Sequence, residues 1–299
     1  MTHAMADGRK RIANAMTIDV EDYFHVQAFA GIIDRASWDS LPCRVEANTD
    51  RILALLDEAG VKATMFTLGW VAERYPQVVR RIVAGGHELA SHGHGHQRVH
   101  EIGEAAFRED LIRARGLLEQ IGGVAVQGYR APTFSIGPGT PWAYDVLAET
   151  GHRYSSSIYP VRHDLYGSPD APRLPHRPGN SAVWELPMST VSVFGQNLPC
   201  SGGGYFRLLP YEVFRLGLRR FNAEQARPGM FYTHPWEIDP DQPRIAQAPA
   251  LSRFRHYLNL ARSAGRLRRL LQDFAWDRVD RAYADVISTP ATSPHPDQH

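Results

Sequence analysis

Short apolar runs alternate with longer segments whose apolar residues recur every three or four positions. Ile12–Val20 reads as a strand that ends in acids, and Val45, Ile52, Leu55 and Leu56 share one helical face that Gly60 closes. Val61–Leu68 is a buried strand. Pro76 suits the first position of a helix carrying Val78, Val79, Ile82 and Val83, before Gly85-Gly86. His87–Ser91 is a third strand, Phe107–Ile121 a helix, and a further strand runs into Tyr129-Arg130-Ala131-Pro132. A helix near Trp142–Thr150, strands at Tyr154–Ile158 and Val183–Met188, a helix after Pro210 and a strand at Gly229–Thr233 continue the pattern. Strands separated by helices of this kind imply parallel βαβ units, hence an α/β barrel or a doubly wound sheet.

Three stretches depart from that rhythm. Pro160–Gly204 is rich in Pro, Gly and Ser and reads as a loop-rich insertion able to shape a cleft. Phe254–Phe274 reads as one basic amphipathic helix with Leu258, Leu260, Leu267, Leu270 and Leu271 as its apolar positions. Its arginines suit a solvated face better than an anionic partner. The first eleven residues read as flexible and the tail from Ser288 as disordered.

A chain of 299 residues suits one core with elaborations, and 43% hydrophobic with 22% charged residues is an ordinary globular balance. The formal charge of +1 removes any global electrostatic case for nucleic acid or an anionic membrane. Cys43 and Cys200 are too few for a disulfide scaffold or a cysteine zinc site. No run approaches the roughly 20 apolar residues of a membrane span, and the polar, basic start does not read as a signal peptide. The expectation is a cytoplasmic protein, with the inner face of the membrane a possible station.

Chemistry gathers at predicted strand ends, where parallel α/β folds place their sites. Five of the fourteen histidines lie between His87 and His100, in His87-Glu-Leu-Ala-Ser-His92-Gly-His94-Gly-His96 and on to His100. Closely spaced imidazoles can reach one ion. The second cluster is Thr17-Ile-Asp19-Val-Glu21-Asp22. Strand alternation puts Asp19 and Glu21 on one side, where one carboxylate could bind a metal and the other act as base. Two histidines plus a carboxylate leave positions on zinc for water and substrate. Arg130 ends another strand and could hold a carboxylate ionised. His234, in Met230-Phe-Tyr-Thr-His234-Pro-Trp236-Glu237, could serve as a general acid.

The order and spacing of these pieces resemble the polysaccharide deacetylase family, the NodB homology group of carbohydrate esterases. The stretch from Ala72 to His92 is similar to that family's approach to its histidine motif. Phe254–Trp276 resembles the C-terminal extension of a bacterial subgroup associated with exopolysaccharide synthesis, and Asp19-Val-Glu-Asp-Tyr-Phe-His25 and His234-Pro-Trp-Glu also suit it. The resemblance implies a distorted, incomplete (β/α) barrel over 12–240, with a helical extension over 241–287. It makes Asp19 the catalytic base, Arg130 its positioning partner, His234 the general acid, and His92 and His96 metal ligands, with His94 a loop residue.

The family's usual Thr-Phe-Asp-Asp-Gly is absent. Val20 follows Asp19, so the carboxylate ligand is Glu21 or Asp22, with alternation favouring Glu21. Tyr154-Ser-Ser-Ser also lacks the Asp of many relatives, so a carboxylate beside the acid histidine is either absent or supplied elsewhere, by Glu185 or Glu237. Pro132, Tyr205 and Trp236 are candidate substrate contacts, with Phe134 and Tyr159 further aromatic candidates. The implied activity is metal-assisted removal of N-acetyl groups from hexosamine units of a polysaccharide or lipid-linked oligosaccharide. Zn²⁺ is the favoured ion, with Co²⁺, Ni²⁺ or Mn²⁺ as alternatives. Rival readings are another amide hydrolase of the same fold, such as an allantoinase-like enzyme, and a non-catalytic polysaccharide-binding protein.

Overall fold

The computed structural model describes residues 12–289. The flexible start expected over 1–11, and the expected disordered tail beyond Thr289, lie outside the described residues. The first strand, β1 (Ala13–Val20), is buried almost throughout and organises the rest. Its alternation has two apolar destinations. Met16, Ile18 and Val20 join the larger core cluster, with Ile52 and Leu56 of the helix Val45–Glu58, while Ala15 joins a second cluster with Phe66 and Tyr154. Thr17 and Asp19 share the phase of Ala15, so the strand's period carries polar chemistry to the inner face.

On one edge of β1 the parallel strands β2 (Thr64–Thr67), β3 (Glu88–Ser91), β4 (Gly128–Tyr129), β5 (Tyr154–Ser155) and β6 (Trp184–Glu185) follow in order. The hairpin β7 (Thr190–Val193) and β8 (Gln196–Pro199) is antiparallel and forms a separate two-stranded sheet. On the other edge of β1 lies β9 (Met230–Thr233), paired from Ala15–Met230 to Ile18–Thr233. Between β6 and β9 the sheet closes only through loop contacts. Tyr232 N–H donates to the Ser201 carbonyl at 2.7 Å, and Met230 N–H donates to Ser189 Oγ at 2.7 Å. The sheet is therefore a curled, incomplete (β/α) barrel, as expected from the resemblance. Because its strands run parallel, the ends of β1, β3, β4 and β9 gather at one rim.

Two features of the C-terminal third differ from the expected pattern. Phe254–Phe274 is two helices, Ala250–Tyr257 and Leu260–Asp273, broken at Asn259 with φ 55°. The apolar period runs through the break. What breaks the helix is tertiary, since the carbonyls of His256 and Leu258 both accept from the buried Arg207 guanidinium. The segment expected as a helical extension also supplies a strand, β10 (Ala275–Asp277), pairing parallel with Ala13–Ala15 of β1. Trp276 packs beside Phe231, and its Nε1–H donates to the Leu270 carbonyl. Among the described residues no helix is long and apolar enough to cross a membrane.

Candidate active site and metal centre

Among the described residues, Glu21, His92 and His96 each offer a ligand atom within 4.8 Å of the others, and all three are buried. Glu21 follows β1, His92 follows β3, and His96 closes the loop after β3 in the left-handed region, φ 50°. Ser91 Oγ accepts from the Gly93 N–H, and the Asp110 carboxylate accepts from the N–H groups of His94 and Gly95. Gly93 has φ 72°, and a Cβ there would meet Asp110 Oδ2 at 2.7 Å, so the turn requires glycine. His94 points away from the trio, its Nε2 lying 3.4 Å from Glu73.

The electronics of the trio suit a divalent cation. His92 Nδ1 donates to the Arg130 carbonyl at 2.8 Å, which leaves the lone pair on Nε2. Burial lowers the His92 pKa to about 4, so the ring is neutral. Burial would raise the Glu21 carboxyl, but the facing imidazoles of His96, His234 and His92 hold it below its usual range and ionised. Its Oε2 is buried and lies 2.8 Å from His96 Nε2. Its Oε1 accepts from the Trp236 indole N–H at 3.3 Å. An ionised oxygen and imidazole nitrogens converging in a buried pocket are a donor set able to hold a divalent cation.

Asp22 is not part of this group. Its carboxylate accepts from the N–H groups of Tyr23, Arg44 and Val45, and from Cys43 Sγ, at 2.5 to 3.0 Å. It therefore ties the start of the helix Val45–Glu58 to the end of β1. Burial raises its pKa against these hydrogen bonds.

Two ionisable groups flank the trio. Asp19 is buried and accepts from Arg130 Nη1 at 2.6 Å. Arg130 is itself fully buried, donating also to Thr17 Oγ1 and to the carbonyl and hydroxyl of Ser156, with its guanidinium 4.2 Å from the Phe66 ring centre. On the other side His234 Nε2 lies 3.9 Å from Asp19 Oδ2 and 3.6 Å from Glu21 Oε1. Its Nδ1 meets Glu237 Oε1 at 2.6 Å. Burial works against the charged ring, but Glu237, Glu21 and Asp19 raise its pKa to about 9. Glu237 is held ionised despite burial by Arg207 and His234. Glu237, rather than Glu185, therefore supports the histidine. Glu185 accepts from the N–H groups of Ser157 and Ile158 and from the Tyr144 hydroxyl, fixing the end of β5.

A cleft of about 320 Å³ opens over these groups, walled by Phe134, Tyr166, Tyr205, Leu208, Trp236 and Phe254. Tyr205 and Trp236 thus line it as the sequence suggests. Pro132 does not: it is buried at the start of the turn Pro132–Phe134, and Thr133 and Phe134 face the cleft instead. Tyr159 is wholly buried in the core beneath Phe134. Sequence reasoning missed Thr17, Asp110, Arg207 and His256. Strand alternation could have found Thr17. The other three act across long chain separations and leave no local signal.

Residues 36–154 match the Polysaccharide deacetylase family. Over that stretch the chain is similar to polysaccharide deacetylases. Residues 156–284 match DUF3473, a domain of unknown function. The chain is similar to the peptidoglycan-N-acetylglucosamine deacetylase of Bacillus cereus, 34% identical over 28% of this chain and 30% of that one. It is also similar to the chitooligosaccharide deacetylase of Sinorhizobium fredii, 30% identical over 48% of this chain and 60% of the other. The matched parts thus span between about a third and three fifths of these relatives. In fold, the whole chain resembles a Mycobacterium smegmatis structure assigned to the polysaccharide deacetylases, with TM-score 0.61, 22% identity and coverage of 98% and 97%. The Puue allantoinase shares the fold too, with TM-score 0.59, 20% identity and coverage of 97% and 96%.

Proposed function

We propose that this protein hydrolyses the N-acetyl group of hexosamine units in an oligosaccharide or polysaccharide, in exopolysaccharide biosynthesis. One observation carries the reading: a carboxylate fixed by a buried arginine and an imidazole fixed by a buried glutamate face one another across a Glu–His–His trio. Glu21, His92 and His96 would hold a divalent ion, Zn²⁺ by the mixture of nitrogen and oxygen donors. That ion would supply polarisation of the acetyl carbonyl and a water acidic enough to attack at neutral pH.

The chain's own groups then divide the proton work. Asp19 accepts the proton of the attacking water, and Arg130 holds its other oxygen, leaving one free for that proton. His234 starts protonated and delivers its Nε2 proton to the departing sugar nitrogen, because an amine anion is too poor a leaving group. Glu237 stabilises the imidazolium and fixes which nitrogen faces the site. Trp236 orients Glu21 through its indole N–H, and the aromatic walls of the cleft suit stacking on sugar rings. The Bacillus cereus and Sinorhizobium fredii relatives are named as deacetylases of peptidoglycan N-acetylglucosamine and of chitooligosaccharide, which supports this substrate class.

The test is release of acetate and free amine from N-acetylglucosamine oligomers by the full chain, before and after chelation and with Zn²⁺ restored. Loss on chelation and recovery with zinc is the expected result. Full activity in the chelated, metal-free protein would overturn the mechanism. A zinc-loaded protein that releases no acetate would overturn the substrate class.

A further inference from the structure

Arg207 lies near the end of the short helix Gly203–Leu208, only 3% exposed, about thirty residues before the histidine it affects. A buried guanidinium is costly unless all its donors are engaged. Here Nε donates to Glu237 Oε2 at 2.7 Å, and Nη1 donates to the carbonyls of His256 and Leu258, both at 2.9 Å. The other oxygen of Glu237 takes Nδ1 and the backbone N–H of His234, at 2.6 and 3.2 Å. Each carboxylate oxygen is thus occupied from a different side, and rotation of Glu237 would break contacts at both ends.

The arginine is in turn clamped. Its carbonyl accepts from Asn259 Nδ2 at 2.8 Å and from Arg266 Nη1 at 2.9 Å, and its guanidinium carbon lies 5.3 Å from the Trp236 ring centre. Trp236 stacks on His256, with centroids 4.2 Å apart and planes 13° apart. Donors that serve a carboxylate and two carbonyls from one rigid plane need a guanidinium, since an ammonium is a point donor on a flexible stem.

We propose that Arg207 is a positioning residue: through Glu237 it fixes the ring of His234, and it thereby ties the C-terminal segment 250–259 to proton delivery at the leaving nitrogen. The proposal rests on the reading of His234 as the acid, and the test separates the two. Arg207→Gln, Arg207→Lys and His234→Ala are compared with wild type as zinc-loaded full chains. Two substrates are used: an N-acetylglucosamine oligomer, whose amine must be protonated to leave, and 4-nitrophenyl acetate, whose phenolate leaves without a proton.

A positioning role lowers kcat for the amide by about 10- to 100-fold in Arg207→Gln. KM and zinc content stay within about twofold, the amide-to-ester rate ratio falls at least about tenfold, and Arg207→Lys recovers part of the loss. Equal losses on both substrates in Arg207→Gln, or an unchanged amide kcat beside a crippled His234→Ala, would overturn the role of Arg207. Equal losses on both substrates in His234→Ala would instead overturn the acid reading itself. A readout independent of turnover is the downfield Nδ1 proton of His234 in the wild-type NMR spectrum, assigned by its disappearance in His234→Ala. It should shift or exchange faster in Arg207→Gln, and an unmoved signal would count against the proposal.

Discussion

Replacing Arg130 with methionine should destabilise the protein by about 3–5 kcal/mol, the cost of leaving a buried charge unpaired. The magnitude follows from what remains. Methionine keeps most of the apolar stem that lies against Phe66, so the packing loss is small. Thr17 Oγ1 still donates to the Phe231 carbonyl at 2.7 Å. Asp19, 2% exposed, loses the one ion-pair partner within 3 Å of its carboxylate among the described residues. Asp19→Asn should cost a similar amount by stranding the guanidinium. The double variant removes both charges and should cost about 2–3 kcal/mol less than the sum of the singles. Urea unfolding of the chelated protein measures all four corners of this cycle without a contribution from metal binding. Additivity within about 0.5 kcal/mol would refute the claim that Arg130 exists to hold the Asp19 charge.

Three further outcomes follow from the structure. Asp22→Ala should cost about 2 kcal/mol, by freeing the N–H groups of Arg44 and Val45, yet leave zinc stoichiometry intact; loss of zinc would make Asp22 a ligand. Trp276→Ala should cost about 3–5 kcal/mol by urea unfolding if β10 is part of the main core, and about 1 kcal/mol or less if it merely docks. Glu88, buried between Thr64 and Tyr154, has its carboxyl pKa raised by burial and by Asp280. The native state therefore keeps a proton that the unfolded chain releases above about pH 4.5, so the contribution of Glu88 to stability is full below that pH and is lost as pH rises toward about 7. Glu88→Gln should lose less melting temperature than wild type between pH 5 and pH 8, and parallel profiles would contradict this.

What could be read from the chain was what its local periods encode. The alternation of β1 put Met16, Ile18 and Val20 on one side and Thr17 and Asp19 on the other, so the strand and its polar face were visible together. The choice between Glu21 and Asp22 was not closed by alternation alone. Asp22 is committed by donors more than twenty residues downstream, which no strand pattern reveals. The helix break at Asn259 was hidden for a similar reason, because the leucine spacing continues across it while Arg207 takes the carbonyls. β10 is three residues long, too short for alternation to show. Glu237 and Glu185 were equivalent by residue type, and only tertiary placement beside His234 or behind β5 separates them.

The central claim is that Asp19 does proton work while Glu21 holds the ion. The most direct measurement is zinc stoichiometry and acetate release, on the same samples, for wild type, Asp19→Asn and Glu21→Gln. Asp19→Asn should keep near-stoichiometric zinc while losing at least about 100-fold in turnover, and Glu21→Gln should lose both. Zinc lost in Asp19→Asn but retained in Glu21→Gln would contradict that claim.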